Sequence, residues 1–286
     1  MIVKKENLFF YYDAKNNISN TEHSDATTTW YDLSNKSNNG IINNCVWGDN
    51  CLFFDGINSW VNCGVPSYGS ELTFEIAFQV SSNQDTSQTL GGNCESGGFY
   101  LQIKKDLKLT AGAYYNGTYH IAESSINANE FVYATMVIKN NTIYLYKNGI
   151  LEQSITIDGA FSLNVTTVPF AIGTNPGNSL TEFFRGKIYV SRLYDIALTE
   201  SEVYNNFETE MKNFQKEEQP EQTNNVSKIR IGLEKPYNIK DSYSRANKLN
   251  KNEDDTAYAV INFINGLKIN EATVVYDSST NTIKFL

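Results

Sequence analysis

The residues best suited to chemistry surround an Asn-Gly pair near the middle of the chain, in the segment Tyr114-Tyr115-Asn116-Gly117-Thr118-Tyr119-His120. An Asn-Gly pair between two strand-like segments predicts a tight β-hairpin. Successive strand residues point to opposite faces, so one sheet cannot bury both Tyr114 and Tyr115. An exposed aromatic ring beside polar side chains suits the apolar face and the hydroxyls of a sugar. The predicted carbohydrate-binding residues are Tyr114, Tyr115, Asn116, Tyr119 and His120, together with Trp60 from another strand.

Tyrosine alone does not establish a binding site, because it is also a favoured strand residue. The chain contains 18 tyrosines, so the alternative that these rings only pack stays open at each position. The same holds for the Gly-rich segment 91–98, whose glycines could serve only as sharp turns.

Hydrolysis of a glycosidic bond would need two carboxylates about 5–10 Å apart. The chain has no Glu-x-Asp-x-x-Glu segment of the laminarinase type. Glu71 and Glu75 share a strand face, but four residues at about 3.3 Å each separate them by roughly 13 Å. We therefore expect a protein that is not an enzyme, with these glutamates on a half-solvated strand.

Metal-ligating residues are sparse. The two histidines, His23 and His120, form no HxxxH pair, so a transition-metal site is not predicted. The loops Asp49-Asn50 and Asp55-Gly56-Ile57-Asn58 offer oxygen ligands for Ca²⁺, but Asx turns explain the same residue types more simply. No cofactor is assigned, and calcium stays as the open alternative.

Four cysteines, Cys45, Cys51, Cys63 and Cys94, show no metal-binding spacing. Cys45 and Cys51 bracket a turn, so they could pair across a hairpin or remain buried thiols. Residues 1–16 hold too short an apolar run for a secretory signal. Reduced cysteines are therefore the preferred interpretation.

Composition narrows the class of partner. The net charge is −9 and 41% of the residues are hydrophobic, and no apolar run approaches the ~20 residues of a membrane helix. Basic residues do not cluster, so nucleic acid is not an expected partner. The chain is expected to fold as a soluble protein without membrane insertion.

The candidate binding residues are expected to lie on β-strands. Residues 72–80 place five apolar side chains on one face and four other side chains on the opposite face, which is the pattern of a half-buried strand. A second Asn-Gly pair, Asn148-Gly149, predicts another hairpin.

One helix is predicted to follow the last strand of this region, residues 183–194. Thr199 is a suitable N-cap, and Glu202 three residues later completes a capping box. This helix is expected to cover an open sheet edge. Its apolar face consists of Val203, Phe207, Met211 and Phe214.

The order of several short motifs resembles that of LamG-like, concanavalin A-like jelly-roll domains over about residues 8–214. The matching residues are Trp30-Tyr31-Asp32-Leu33-Ser34 with Asn38-Asn39-Gly40, Phe54-Asp55-Gly56 with Trp60-Val61, Leu145-Tyr146-Lys147-Asn148-Gly149, Phe170-Ala171-Ile172-Gly173, and Gly186, Arg192-Leu193-Tyr194, Ala197-Leu198-Thr199 with Glu202-Val203. Phe131 and Tyr133 stand where the family usually has Trp and His. The resemblance implies an all-β jelly-roll sandwich with a closing C-terminal helix.

In such a sandwich, Trp30 and Leu33 would fill one end. Asp32 and Ser34 would bond the backbone of the neighbouring turn, as Asx and Ser turns do.

Three regions are predicted: the sandwich (1–214), a charged linker (215–226) and a small α+β domain (227–286). In the last region, a strand at 229–233, a helix after Asp254-Asp255-Thr256, and a hairpin of residues 272–276 and 282–286 give a βαββ order. A unit of this size is marginally stable alone, so docking or homo-oligomerisation is expected.

The preferred function is non-catalytic binding of cell-surface glycan, in the manner of a lectin. A binding protein without an export signal fits a phage virion or phage-tail-like particle, on whose exposed surface it would serve host attachment. The C-terminal domain would then contact other particle proteins. The alternatives are a structural decoration protein of a capsid or tail, and a glycoside hydrolase with an unrecognised carboxylate pair.

Overall fold

The structure is a computed structural model of the 286-residue chain. It describes residues 4–17, 27–48, 50–67, 69–93, 98–159, 161, 163, 168–177 and 179–218; for residues 215–218, and for four short strands between residues 250 and 285, it describes the backbone alone. The chain divides into two compact units, Met1–Thr209 and Glu210–Leu286.

Strands dominate the first unit, after a short 3₁₀ helix at Lys5–Asn7. In chain order the first eight are β1 (Leu8–Asp13), β2 (Thr29–Trp30), β3 (Gly40–Asn43), β4 (Val46–Trp47), β5 (Leu52–Asp55), β6 (Trp60–Asn62), β7 (Leu72–Val80) and β8 (Gln88–Gly92). The next eight are β9 (Phe99–Ile103), β10 (Lys108–Tyr115), β11 (Thr118–Ser125), β12 (Val132–Lys139), β13 (Thr142–Lys147), β14 (Ile150–Thr156), β15 (Ala171–Ile172) and β16 (Arg185–Tyr194). One helix, α1 (Glu200–Glu218), follows them.

These strands form two antiparallel sheets of eight strands each. Sheet A has the order β14-β13-β12-β7-β16-β5-β4, and β1 also pairs with β16. Sheet B has the order β11-β10-β9-β8-β15-β6-β3-β2. The two-sheet sandwich predicted from the motif order is confirmed.

The core lies between the inner faces of the two sheets. Its packing is largely aromatic: Phe170 contacts Phe74 edge-on with ring centroids 5.0 Å apart, and Phe99 with centroids 5.7 Å apart. The alternation of strand side chains explains which residues enter the core, because every second residue of a strand points to the same face.

The predicted roles of Trp30, as a buried residue at one end of the sandwich, and of Asp32, as a hydrogen-bond acceptor in the neighbouring turn, are confirmed. Trp30 is fully buried and stacks on Tyr12 with centroids 5.3 Å apart, whereas Leu33 is only partly buried. Asp32 accepts hydrogen bonds from the backbone amides of Tyr11 (2.9 Å) and Ser34 (2.8 Å), and from the Ser34 hydroxyl (2.7 Å). Asp32 therefore fixes the turn that places Trp30.

Both Asn-Gly hairpins are confirmed. Asn116 and Gly117 have φ values of 48° and 79° and join β10 to β11, while Asn148 and Gly149 have φ values of 51° and 76° and join β13 to β14. Positive φ at both central residues is the geometry of the two-residue turn that matches strand twist.

The capped helix is confirmed, but its predicted position and end are wrong. The Glu202 backbone amide donates to Thr199 Oγ1 (3.3 Å), and the Thr199 amide donates to Glu202 Oε2 (2.8 Å), which completes the capping box. The helix covers the outer face of sheet A rather than an edge, because Asn206 reaches Glu75 in the middle of β7. It also continues to Glu218, so residues 215–218 of the predicted linker are helical.

The helix changes the environment of β7. The outward residues Thr73, Glu75 and Ala77 were expected on a half-solvated face, but all three are buried. The alternation of inward and outward side chains is as predicted, and the solvation is not, since α1 lies over that face.

Four further strands form a separate antiparallel sheet: β17 (Asn250–Lys251), β18 (Thr256–Tyr258), β19 (Thr273–Asp277) and β20 (Thr282–Phe285). The predicted hairpin of residues 272–276 and 282–286 is confirmed by the pairing of β19 with β20. The helix predicted to begin after Thr256 is wrong at its start, because Thr256 lies in a strand. Residues 219–249, which include most of the predicted linker and the strand at 229–233, lie outside the described residues.

Two negative findings apply to the described residues. Cys45, Cys51 and Cys63 form no disulfide there, and Cys94 lies outside them. In the same part of the chain, no helix has both the length and the apolar character needed to cross a bilayer.

Candidate functional site

The hairpin of β10 and β11 forms one edge of sheet B and carries five of the six predicted site residues. Tyr114 lies directly opposite Tyr119, and Tyr115 lies opposite Thr118. Tyr114 and Tyr119 point to the outer face of the sheet and are 42% and 52% exposed. Their ring centroids are 4.9 Å apart, so the structure brings these two predicted residues together.

A third ring, which the sequence analysis did not select, completes this group. Tyr100 of β9 contacts Tyr119 edge-on, with centroids 6.2 Å apart. Its own ring lies over Gly112, where a Cβ atom would collide with the phenol. Tyr100 is only 8% exposed, so it supports the ring of Tyr119 from below. We call Tyr100, Tyr114 and Tyr119 the tyrosine cluster.

Two predicted residues of the same hairpin face the other way. Tyr115 packs against the core and contacts Phe161 edge-on, with centroids 5.4 Å apart. His120 lies opposite the buried residue Ala113, on the inner side. Asn116 is exposed at the turn itself, so it can reach the outer face only from the rim.

Trp60 shares the outer face of sheet B but not the tyrosine cluster. Its neighbour Val61 is buried, so Trp60 in β6 points outward. Three strands separate β6 from β10, which corresponds to about 19 Å at about 4.8 Å per strand spacing. One sugar unit cannot contact both Trp60 and the tyrosine cluster.

A row of polar side chains lies beside the tyrosine cluster on the same face. Gln102 Nε2 donates to Glu182 Oε2 (2.7 Å) and to Thr89 Oγ1 (3.3 Å). The Thr89 hydroxyl also donates to Glu182 Oε2 (3.0 Å). We call Thr89, Gln102 and Glu182 the polar cluster.

Sequence reasoning missed the polar cluster for a physical reason. Glu182 is 80 residues from Gln102 and 93 from Thr89 along the chain, and no local pattern predicts such a contact. The only local signal is conformational, and it is visible in the structure alone: Glu182 has a φ of 56°, which is uncommon for a residue with a side chain.

The carboxylates on this face are poorly placed for hydrolysis. The backbones of Glu182 and Glu123 lie at opposite ends of the row, four strand spacings or about 19 Å apart, and the Glu182 carboxylate is bonded to Thr89 and Gln102. Glycosidases need about 5–10 Å. Glu123 is instead paired with Lys104 at 2.7 Å, and Glu75 is buried beneath α1.

Of the two loops considered for calcium, the one at Asp55 forms an Asx turn, and Asp49 of the other lies outside the described residues. Asp55 Oδ1 accepts hydrogen bonds from the backbone amides of Ile57 (2.8 Å), Asn58 (3.0 Å) and Ser59 (3.1 Å). Partial burial opposes ionisation, but these bonds outweigh it and hold the pKa of Asp55 below its usual value. Within the described residues, no three acidic, His or Cys side chains gather as a metal site would require.

A separate open cleft of about 520 Å³ lies between the Asn148-Gly149 turn and the first turn of α1. It offers one aromatic ring, Tyr204, whereas the tyrosine cluster offers three. Its lining residues are Gly149, Ile150, Thr199, Glu200, Ser201, Tyr204 and Asn205.

The sequence of residues 55–204 matches the family described as the concanavalin A-like lectin/glucanases superfamily. The match covers more than half of the chain, and the two-sheet sandwich agrees with it. This chain belongs to that superfamily, as the motif order indicated, and it has a lectin-like fold.

Solved structures share this fold at low sequence identity. The sialidase of Trypanosoma rangeli superimposes with a TM-score of 0.57 at 16% identity, over 72% of this chain and 33% of the sialidase. The botulinum neurotoxin serotype D binding domain gives a TM-score of 0.56 at 12% identity, over 72% of this chain and 53% of that chain. The binding domain of Paraclostridial Mosquitocidal Protein 1 gives 0.56 at 19% identity, with the same coverage.

This chain therefore spans about a third to a half of the structures that it resembles. None of the curated proteins compared with it matches its sequence.

Proposed function

We propose that this protein binds cell-surface carbohydrate without catalysis, through the outer face of sheet B. The observation that carries the proposal is the tyrosine cluster, in which the half-exposed ring of Tyr119 contacts both the half-exposed ring of Tyr114 and the buried ring of Tyr100. The middle of the outer face of sheet A is covered by α1, where Asn206 reaches Glu75 in β7, so this part of the sheet does not offer an equivalent surface.

The tyrosine cluster has the physical properties that sugar binding requires. A tyrosine ring provides a flat apolar area for the face of a pyranose and loses little side-chain entropy, and its hydroxyl remains available at the rim. The contact between Tyr114 and Tyr119 restrains both rings before a ligand arrives, which lowers the cost of ordering them on binding.

The similar structures support a binding role by analogy of fold. Two of them are described as binding domains, one of a neurotoxin and one of a mosquitocidal protein, and the superfamily includes lectins as well as glucanases. The sialidase is an enzyme, but on the outer face of sheet B Glu123 is paired with Lys104 and Glu182 is held by Thr89 and Gln102, with their backbones about 19 Å apart, which favours binding.

The test is a glycan array probed with the wild-type protein and with Tyr119→Ala and Tyr114→Ala. We expect each variant to bind at least about tenfold more weakly, a loss of about 1.4 kcal/mol, because each removes one stacking ring. Tyr204→Ala is the matched control, since Tyr204 is 43% exposed but lies on α1.

Three outcomes oppose the proposal. Glycan binding that survives both tyrosine variants and is lost in Tyr204→Ala would move the site to the cleft beside α1. Absence of glycan binding, with stoichiometric incorporation into a particle, would favour a structural decoration protein. Release of reducing sugar from a wall polysaccharide would favour a glycoside hydrolase.

The setting that we propose is the exposed surface of a phage virion or phage-tail-like particle, where the protein serves host attachment. In this setting the C-terminal region contacts other particle proteins or forms a homo-oligomer. The support is analogy of fold alone. Sedimentation of the protein with purified particles, and its molar mass by light scattering, test the setting and the oligomeric state separately.

A further inference from the structure

We propose that the polar cluster selects a sugar unit that donates hydrogen bonds and carries no acidic group. This inference rests on the proposed function and extends it to the class of ligand. The preferred ligand is an oligosaccharide whose bound unit is neutral or carries an amine. Sialylated and uronic acid-containing glycans are excluded.

The conformation of Glu182 presents its carboxylate on the outer face. Its backbone oxygen accepts a hydrogen bond from the Thr89 amide (2.8 Å), so residue 182 continues sheet B beside β8. Its φ of 56° lies in the left-handed region, where a side chain is tolerated only when surrounding contacts hold it. The hydrogen bonds from Thr89 and Gln102 to Oε2 supply such contacts.

The inventory of donors and acceptors defines what the polar cluster can bind. A glutamine amide has two N–H groups, and Gln102 donates to Glu182 Oε2 and to Thr89 Oγ1. The Thr89 hydroxyl has one proton, which it donates to Glu182 Oε2. All three donors are therefore used inside the cluster.

What remains for a ligand is a pair of acceptors. Glu182 Oε1 and Gln102 Oε1 have no hydrogen-bond partner in the described part of the chain. Sugar hydroxyls and ammonium groups can donate to them. A carboxylate or sulfate group cannot, because all of its terminal oxygens are acceptors.

The negative charge of Glu182 also disfavours an acidic sugar. Glu182 is half-buried and forms no ion pair with any described residue. Two lysines on this face bond to other groups: Lys104 pairs with Glu123, and Lys108 donates to Ser125 Oγ (2.8 Å). An acidic sugar would place a second negative charge beside a carboxylate that no cation neutralises. Such like-charge contacts are a common means of rejecting the wrong ligand.

The size of the ligand follows from the spacing of the two clusters. Gln102 follows Tyr100 by two residues on the same face, or about 6.6 Å. Glu182 lies three strand spacings and about four residues from Tyr114, or roughly 20 Å. A ligand that contacts both the exposed ring of Tyr114 and Glu182 must contain more than one sugar unit.

The experiment compares matched oligosaccharides by calorimetry with the full chain. The probes are lacto-N-neotetraose and its α2,3-sialylated form, and chitotetraose and its fully deacetylated form. We expect a neutral or amine-bearing probe to bind at least tenfold more tightly than the sialylated one. In Glu182→Gln that preference should fall at least fivefold, since the charge is lost while the shape is kept.

Glu123→Gln is the control, because it removes one negative charge from the same face about 19 Å away. We expect it to change the preference less than twofold. Gln102→Leu is a second variant: it removes one acceptor and should weaken the neutral or amine-bearing ligand while Glu182 stays. Thermal unfolding of each variant establishes that it is folded.

Equal or tighter binding of the sialylated probe, or an unchanged preference in Glu182→Gln, would overturn the inference. If binding of the other probes is still lost in Tyr119→Ala, the proposed function survives that result. If no probe binds and the glycan array is also negative, the proposed function and this inference both fail.

Discussion

At the scale of single residues, the largest departure from expectation is a buried ion pair between sheet A and α1. Arg192 and Glu75 are both fully buried, with Nη1 and Oε2 3.4 Å apart. Arg192 also donates to the Tyr133 hydroxyl (2.9 Å), and Asn206 Nδ2 donates to Glu75 Oε2 (3.1 Å). Removal of one charge leaves the other buried without its partner, whereas removal of both does not.

We expect Arg192→Met to lower the free energy of unfolding by about 3–5 kcal/mol, because Glu75 keeps its burial and loses its cation. The double variant Glu75→Leu/Arg192→Met should lose much less. Urea unfolding monitored by fluorescence measures both. A double variant that is as unstable as the single one would contradict this account.

The same pair gives stability a defined pH dependence. Burial raises the pKa of Glu75 above its ordinary value of 4.5, and the nearby Arg192 charge only limits the rise. The folded state then holds the proton more tightly than the unfolded state. The stabilisation that comes from this tighter proton binding at Glu75 is complete below pH 4.5 and is lost as the pH rises through the folded-state pKa.

The comparison variant is Glu75→Gln, which cannot titrate at this position. We expect the free energy of unfolding of the wild type, relative to Glu75→Gln, to fall as the pH rises from about 4.5 towards neutrality. Urea unfolding at several pH values measures the difference. A relative stability that increases over this range would mean that the ion pair lowers the pKa of Glu75 instead.

At the scale of elements, the two Asn-Gly turns have nearly the same backbone and different surroundings. Gly117 has open space around the position of a Cβ atom, whereas at Gly149 that atom would lie 2.9 Å from Phe207 Cδ1 and 3.1 Å from Tyr204 Cδ2. The turn at Gly149 is thus fitted against α1, and the turn at Gly117 is not.

We expect Gly117→Ala to cost about 1–2 kcal/mol, the strain of a left-handed backbone alone. Gly149→Ala should cost more, since it adds the collision with Phe207 and Tyr204 to the same strain. The difference between the two variants in urea unfolding measures the contact with the helix. Equal losses of unfolding free energy would show that α1 shifts to accommodate the added methyl group without a further loss of stability.

At the scale of the whole molecule, the helix makes the two faces of the sandwich unequal. It covers Glu75 in the middle of the outer face of sheet A, while the outer face of sheet B keeps Tyr114 and Tyr119 exposed. The described core residues run from Phe10 to Leu193, so the core of the sandwich is built within the first compact unit.

We therefore expect removal of residues 219–286 to leave the fold of the sandwich and its glycan affinity unchanged. Thermal unfolding and calorimetry with the best-binding glycan compare the full chain with the shortened one. The oligomeric state of the shortened chain is compared with that of the full chain. A shortened chain that fails to fold would contradict the placement of the core in the first unit alone.

The features that the sequence by itself determined are local. The alternation in residues 72–80, the Asn-Gly turns and the Thr199–Glu202 cap each depend on residues within a few positions of one another, and all are present in the structure. Alternation also established that Tyr114 and Tyr115 point to opposite faces. It did not establish which of the two faces solvent.

Only the tertiary structure decided which faces are covered and which distant residues meet. It placed Tyr115 against Phe161, buried Glu75 under a helix 131 residues away along the chain, and joined Glu182 to Gln102. These contacts arise from the packing of one element on another, which buries apolar area and pairs polar groups irrespective of their separation in sequence. A pattern with a period of two or of 3.6 residues contains no information about that choice.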